Sequence, residues 1–132
     1  MELAARIEKS ETRQFKVVFP NTLNDNENLF GGTALNWMDE VAYITATRFT
    51  RLKVVTISTD KIKFKHAIKS GAIVEIIGKV AEVGRFKLDI QVEIWVENKY
   101  NSDRLKAVHA LFTFAAINEQ GKLIALSDMH AV

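Results

Sequence analysis

The fold is decided by the stretch NDNENLFGGTALNWMDEVA, residues 24–42, in which a polar loop passes through two glycines into an apolar, helix-like sequence. The loop is rich in asparagine, which bonds its own backbone and favours irregular structure. From Thr33 onward, apolar or small residues recur at steps of three and four, at Leu35, Met38, Ala42, Thr45 and Phe49. This period predicts a helix from about residue 33 to 49 with one buried face.

Strand-like runs lie on both sides of this helix. One run precedes it, and four follow it, at residues 12–19, 54–65, 72–83, 85–98 and 105–118. The run at 85–98 alternates apolar and polar residues strictly, which is typical of a strand with one buried face. The last run is apolar on both faces, as expected in the middle of a sheet or at a subunit contact.

The order of these elements predicts an α+β fold in which one helix covers a long antiparallel sheet. The short connections KSG (69–71) and EVG (82–84) suit antiparallel hairpins. Because a single helix leaves part of the sheet's apolar surface uncovered, we expect a second copy of the chain to cover it.

The composition is that of one globular domain. The 132 residues fit a single domain over 1–132, with a core at about 12–118. The 18 basic and 16 acidic residues nearly cancel, so no strong attraction to nucleic acid or a membrane surface is expected. Without cysteine there is no disulfide or thiolate nucleophile. Since no signal peptide or apolar run of ~20 residues is present, we expect a cytoplasmic protein without membrane insertion.

Several catalytic motifs are missing from the sequence. It has no G-x-S-x-G, P-loop, G-x-G-x-x-G or H-E-x-x-H motif. Its three histidines, His66, His109 and His130, lack the spacing of metal ligands, so no metal is predicted. Without an evident partner, His66 and His109 are more simply explained as structural residues.

The start of the helix offers one kind of chemistry. A helix N-terminus exposes unpaired N–H groups, and glycine lets another group approach them closely. Gly31 and Gly32 could therefore form an oxyanion hole from backbone alone. The alternative is a flexible turn that needs glycine for a positive φ.

Two carboxylates follow within the same helix. Asp39 lies on nearly the same side of the helix as Gly31 and Gly32, about 10 Å further along the axis. Neither Asp39 nor Glu40 has a basic residue three or four positions later to pair with. A partly buried Asp39 could act as a general base or nucleophile, its pKa raised by desolvation. The alternative, which fits Glu40 better, is a solvated outer face.

A family resemblance joins these features. Asn24 begins the pattern N-x-x-x-x-x-F-G-G, which is followed by MDE (38–40), VVTISTDKIKF (54–64) and IKSG (68–71). Together these segments resemble the hotdog-fold acyl-CoA thioesterases of the YciA and brain acyl-CoA hydrolase branch, over roughly residues 12–118. The resemblance implies a hotdog fold, with a sheet wrapped around one central helix. It also implies dimers joined through their sheets, often as trimers of dimers, with active sites between subunits.

The resemblance assigns roles to particular residues. Asp39 would activate water or attack the thioester carbonyl, Gly32 with Gly31 would polarise that carbonyl, and Asn24 would orient the water or thioester from the facing subunit. Asp60 matches a usually acidic position, although a simple strand-face charge explains it equally well. The substrate would be an acyl-CoA, and no metal or redox cofactor is implied.

The anionic phosphates of coenzyme A call for cations at the mouth of the site. The basic candidates are Lys61, Lys63, Lys65, Lys69, Arg85 and Lys87, and we select Lys65, Lys69 and Arg85. The segment GRFK (84–87) departs from the small hydroxyl or lysine residues common in relatives. Two alternatives to hydrolysis remain. A hydratase would usually need a histidine near the helix start, where Phe30 stands, and a non-catalytic acyl-CoA-binding or regulatory module would not need Asp39.

Overall fold

The structure is a computed structural model that describes residues 2–129. Its elements, in chain order, are α1 (Leu3–Ser10), β1 (Thr12–Val17), α2 (Gly31–Thr50), β2 (Lys53–Phe64), β3 (Ile73–Val83), β4 (Lys87–Glu97) and β5 (Arg104–Ile117). Short 3₁₀ turns lie at Pro20–Thr22 and Leu126–Asp128. The five strands form one antiparallel sheet in the order β1-β3-β4-β5-β2, and α2 contacts all five strands. The predicted antiparallel sheet around a central helix is confirmed.

The helix and strand patterns read from the sequence are present with small shifts at their ends. Helix α2 begins at Gly31 rather than at residue 33, so the glycine pair forms its first turn. The alternating apolar residues of β4 are buried, and β5 lies inside the sheet between β4 and β2, as its apolar faces indicated.

Helix α1 was not predicted, and the expectation of a single helix was wrong. Two arginines, one on each helix, hold α1 against α2. Each donates hydrogen bonds to carbonyls at the C-terminal end of the opposite helix. Arg6 of α1 donates from Nε to the carbonyl of Phe49 at 2.6 Å, near the end of α2. Arg48 of α2 donates to the carbonyls of Lys9 and Glu11, at 2.8 and 2.9 Å. These bonds satisfy carbonyls that a helix end leaves free.

The KSG connection is not a hairpin, contrary to the prediction. Strands β2 and β3 are separated in the sheet by β5 and β4. Three strand spacings of about 4.8 Å give about 14 Å, which the eight residues 65–72 can span. The segment crosses the end of β5, where the N–H groups of Lys65 and His66 both donate to the carbonyl of Ala107. The EVG connection between β3 and β4 is a hairpin, as predicted.

The core lies between α2 and the inner face of the sheet. The buried side chains of α2 include Met38, Val41, Ala42, Thr45 and Phe49. The closest approach is at Gly78 of β3, where an added Cβ would lie 2.5 Å from the Thr45 hydroxyl oxygen. Glycine is therefore required at this position so that the helix can lie against the sheet.

Strand β2 is a sheet edge that is exposed along nearly its whole length. Its exposed side chains include Val55, Ile57 and Phe64. The strand is irregular between Asp60 and Lys63, where Lys61 has a φ of 53°. A long edge carrying exposed apolar side chains is a site of association. Within residues 2–129, no helix is long and apolar enough to cross a membrane.

Candidate active site

Asn24 organises the loop that leads into α2. Its side-chain oxygen accepts hydrogen bonds from the N–H groups of Asn26 and Asn28, at 2.9 and 3.1 Å. Its own N–H donates to the carbonyl of Asn28 at 2.7 Å. These bonds occupy the acceptor of the side chain, whereas its amide nitrogen has no acceptor within residues 2–129. Asn24 is therefore fixed in place with its two donors available.

The first turn of α2 also presents free donors. Phe30 is the N-cap residue and makes no side-chain capping bond. The first bond of the helix runs from the N–H of Ala34 to the carbonyl of Phe30. The N–H groups of Gly31, Gly32 and Thr33 consequently have no acceptor in the described part of the chain. Neither glycine has a positive φ, so the explanation by a left-handed turn was wrong.

Absence of a side chain matters at both glycines. An added Cβ on Gly31 would lie 3.5 Å from the ring of Phe64, and one on Gly32 would lie 3.1 Å from the ring of Phe30. The space over the first turn is thus bounded by two aromatic rings, Phe30 and Phe64, each more than half exposed. A group that approaches the helix N–H donors enters between these rings.

A cavity of about 350 Å³ opens beside the first turn, within the usual range for small-molecule sites. Asn24 and Gly31 line it together with Phe64, Lys65 and His66. Its remaining wall is mainly apolar and includes Leu29, Ala34, Ile68 and Val108. The structure thus brings Asn24, Gly31 and Lys65 together. Phe64 and His66 were not predicted as site residues, although their place just before the IKSG turn was visible in the sequence.

Asp39 is not in this cavity. It lies on the exposed face of α2, about 10 Å beyond Gly32 along the helix, and Glu40 beside it is also exposed. The partial burial that we expected for Asp39 is therefore absent from the single chain. In the single chain, Asp39 and the cavity at the start of α2 are therefore separate features of the helix.

The remaining predicted residues are dispersed. Lys69 lines a second cavity of about 470 Å³, beside Lys99 and Tyr100. Arg85 stacks on the ring of Phe86, 4.9 Å away, in the β3–β4 hairpin.

That hairpin is at the far end of the sheet from the first cavity. Lys87 pairs with Ala115, seven residues or about 23 Å along β5 from Val108. Arg85 therefore does not line the first cavity of its own chain. Asp60 accepts a hydrogen bond from the N–H of Lys61 at 2.8 Å and is exposed.

The histidines have different settings. His66 is exposed at the cavity, and His109 lies half-buried on the outer face of β5. Burial lowers the pKa of His109, and repulsion by Lys65, Lys106 and Lys63 lowers it further. His130 lies outside the described residues. Among residues 2–129, no group of three or more histidine, aspartate or glutamate side chains is placed to hold a metal ion.

A five-stranded antiparallel sheet packed on α2, with a cavity at the helix N-terminus, defines a hotdog-fold protein of the thioesterase class. The sequence profile of the thioesterase superfamily matches residues 26–101. The chain belongs to this superfamily.

Similar proteins agree with this assignment. An uncharacterized acyl-CoA thioester hydrolase of Zymomonas mobilis is 31% identical over 114 residues, covering 86% of this chain and 76% of the relative. The acyl-CoA hydrolase of Staphylococcus aureus, solved with butyryl-CoA, CoA and CoA disulfide, has a TM-score of 0.87 and 31% identity, covering 90% of this chain and 73% of that one. A hexameric acyl-CoA thioesterase gives the same TM-score and identity, covering 90% and 76%.

The Staphylococcus aureus hydrolase has also been solved as three alanine variants, which replace an asparagine, an aspartate and a threonine. In that chain the asparagine precedes the aspartate by 15 residues, and the threonine follows the aspartate by 17. Asn24, Asp39 and Thr56 have the same spacings here. Thr56 lies on β2 and was not among the predicted site residues.

Proposed function

We propose that the protein hydrolyses an acyl-CoA thioester to a free carboxylic acid and CoA. The observation that carries this proposal is the cavity at the start of α2, where unpaired helix N–H groups and the free amide of Asn24 are adjacent. Backbone donors at a helix N-terminus stabilise the negative charge that develops on a carbonyl oxygen during acyl transfer. The relatives named above are hydrolases of acyl-CoA thioesters.

In the proposed reaction the thioester oxygen binds the N–H groups of Gly31 and Gly32. Asp39 takes a proton from water, and the water oxygen attacks the carbonyl carbon to form a tetrahedral intermediate. The intermediate collapses by breaking the carbon–sulfur bond, and the departing CoA thiolate takes up the proton. Asp39 could instead attack the carbonyl itself and form an anhydride that water then hydrolyses. The chemistry of neither route calls for a metal or redox cofactor.

The proposed site is shared between two copies of the chain. Within one chain Asp39 is exposed and about 10 Å from the glycine donors, so the donors of one copy would work with the Asp39 of another. The exposed β2 edge offers the surface through which two copies can join. Because a similar thioesterase is hexameric, we further propose a trimer of such dimers.

The spacing shared with the Staphylococcus aureus variants supports three of the assignments. We propose that Asn24 orients the substrate or water, that Asp39 performs the attack, and that Thr56 on β2 belongs to the same site. A cytoplasmic location stays a prediction from the sequence.

The proposal is tested by free-thiol release across a chain-length series of acyl-CoAs. We expect the wild type to release CoA, and Asp39→Asn to lose at least about 100-fold in kcat, since removing a general base costs roughly 10²–10⁴-fold. Asn24→Ala should also lower kcat. Glu40→Gln is the matched control because it changes the adjacent exposed carboxylate, and it should leave the rate unchanged.

The outcomes separate the possible functions. A wild type that binds acyl-CoA but releases no thiol from any chain length would contradict the enzyme assignment and favour a non-catalytic binding module. Full activity in Asp39→Asn would contradict the assigned mechanism while leaving the reaction class intact.

A further inference from the structure

The cavity at the start of α2 contains two nucleophilic side chains. Of the described residues that line it, Lys65 and His66 alone carry an amine or an imidazole, and none carries a carboxylate. Gly31 lines the same cavity, and its N–H group has no acceptor in the described part of the chain. A carbonyl group whose oxygen binds that N–H would therefore share the cavity with an amine.

Lys65 and His66 belong to a segment that is fixed by its backbone. Their N–H groups donate to the same acceptor, the carbonyl of Ala107, at 2.7 and 3.2 Å. Further along the segment, the carbonyl of Ile68 accepts a hydrogen bond from the N–H of Leu29 at 2.7 Å. The segment is thus tied to β5 on one side and to the loop before α2 on the other. These bonds hold the two side chains at the cavity without using their nitrogen atoms.

The amine of Lys65 is not committed to an ion pair. Lys65 forms none of the salt bridges found within residues 2–129. A carboxylate partner would favour the protonated amine, which is not a nucleophile. His66 beside it is exposed, and histidine is the side chain that most often transfers protons in catalysis. An amine, a proton acceptor and an oxyanion donor therefore meet in one cavity.

We propose that the protein also acylates itself, by transferring the acyl group of a bound acyl-CoA to the side-chain amine of Lys65. This inference rests on the proposed function, because the same cavity must hold the thioester. The proposed hydrolysis uses Asp39, which does not line the cavity of its own chain. Attack by Lys65 uses only groups that line this cavity. It is therefore the reaction that a bound thioester meets within one chain.

The transfer is a complete reaction of the thioester with the protein. The neutral amine nitrogen of Lys65 attacks the thioester carbon, and the carbonyl oxygen becomes an oxyanion bonded to the helix N–H donors. The carbon–sulfur bond then breaks and an amide remains. The proton lost by the nitrogen passes through His66 to the departing CoA thiolate. The attached acyl chain can stay out of water against the apolar wall of the cavity, which includes Leu29, Ile68 and Val108.

The test is incubation with the acyl-CoA series used for thiol release, followed by intact-mass measurement and peptide mapping. Asp39→Asn is analysed beside the wild type, because slower hydrolysis preserves the thioester. We expect one acyl group on Lys65, added at least about tenfold faster than on Lys69, since reactants held in one site react far faster than free ones. Lys69 is the matched control because it is an exposed lysine of the same segment that lines the second cavity instead.

Three further samples identify the cause of any preference for Lys65. Lys65→Arg keeps the positive charge but removes the nucleophile, so no acyl group should appear at this position. Gly31→Ala obstructs the helix donors and should slow acylation of Lys65 about tenfold or more, without changing that of Lys69. In wild-type protein unfolded in urea the two lysines should react alike, because the local sequence does not supply the cavity.

The results distinguish this inference from the proposed function. Equal labelling of Lys65 and Lys69 in the folded protein, with many turnovers of thiol release, would overturn self-acylation alone. Labelling of Lys65 that is unchanged in Gly31→Ala would also contradict it. CoA release that stops at one equivalent per chain, with an acyl group on Lys65, would support self-acylation and refute hydrolysis. A wild type that neither releases thiol nor gains an acyl group on Lys65 would overturn both.

Discussion

Substitution of Gly78 by alanine should destabilise the protein, because the closest approach of α2 to the sheet leaves no room for a methyl group. The added Cβ would lie 2.5 Å from Thr45 Oγ1 and 2.9 Å from Val41 Cγ1. Both atoms belong to buried residues of α2, which cannot turn away into solvent. Ordinary contacts of this type are about 3.5–4.0 Å, so the helix or strand must shift by roughly 1 Å.

The expected cost follows from this overlap. Overpacking a well-packed core by one methyl group typically costs about 1–3 kcal/mol. For a chain of this length, each kcal/mol lowers Tm by roughly 3–5 °C, so a decrease of about 3–15 °C is expected. Thermal unfolding followed by circular dichroism, together with urea titration, measures both quantities.

A second substitution tests the cause. Thr45→Ala removes the nearest atom, so the double variant should be more stable than the sum of the single effects predicts, by about 0.5 kcal/mol or more. A Gly78→Ala protein that melts within 1 °C of the wild type would refute the argument. So would strictly additive effects of the two changes, because they would show that the methyl group does not meet Thr45.

Two further predictions concern the site and the outer face. Gly31→Ala should keep or slightly raise stability, by up to about 1 kcal/mol, because alanine favours a helix and its Cβ would meet only the Phe64 ring at 3.5 Å. The same change should lower kcat/KM about tenfold or more by obstructing the donors, and equal activity in a thiol-release assay would contradict their role. Burial opposes ionisation of Glu93, but hydrogen bonds from Lys106 and Trp95 outweigh it and lower the pKa of the carboxyl group. A carboxyl group whose pKa is lower in the folded protein than in the unfolded chain stabilises the folded protein at pH values above the unfolded-state pKa. This stability is lost as the pH falls through the folded-state pKa. The urea midpoint should therefore fall less between pH 6 and pH 3 in Glu93→Gln than in the wild type.

The periodic elements could be predicted because their patterns reflect burial directly. The steps of three and four in α2 and the alternation in β4 both correspond to buried faces. The boundaries moved by a few residues, and Gly31 and Gly32 were placed before the helix although they form its first turn. Glycine has a low helix propensity, so the sequence alone favoured a loop there.

The missed features depend on contacts between distant residues. Helix α1 has only eight residues and is stabilised by Arg6 and Arg48, more than 40 positions apart, so its local sequence gave little signal. The crossover after β2 looked like a hairpin because a short connection does not specify which strand comes next. The strand register that brings Lys63, His109 and Glu93 side by side likewise joins residues that are distant in sequence.

The candidate site could be predicted only in part from the sequence, for a related reason. Asn24 and Gly31 are close in sequence and meet in one cavity, whereas Asp39 is exposed on α2 and strand β2 is an exposed edge of the sheet. A second copy that pairs with β2 would extend the sheet and place its own α2 on the same side, next to the helix that carries Asp39. The exposure of Asp39 and the exposure of β2 would then have one cause, which is that each chain supplies half of the surface that the other requires.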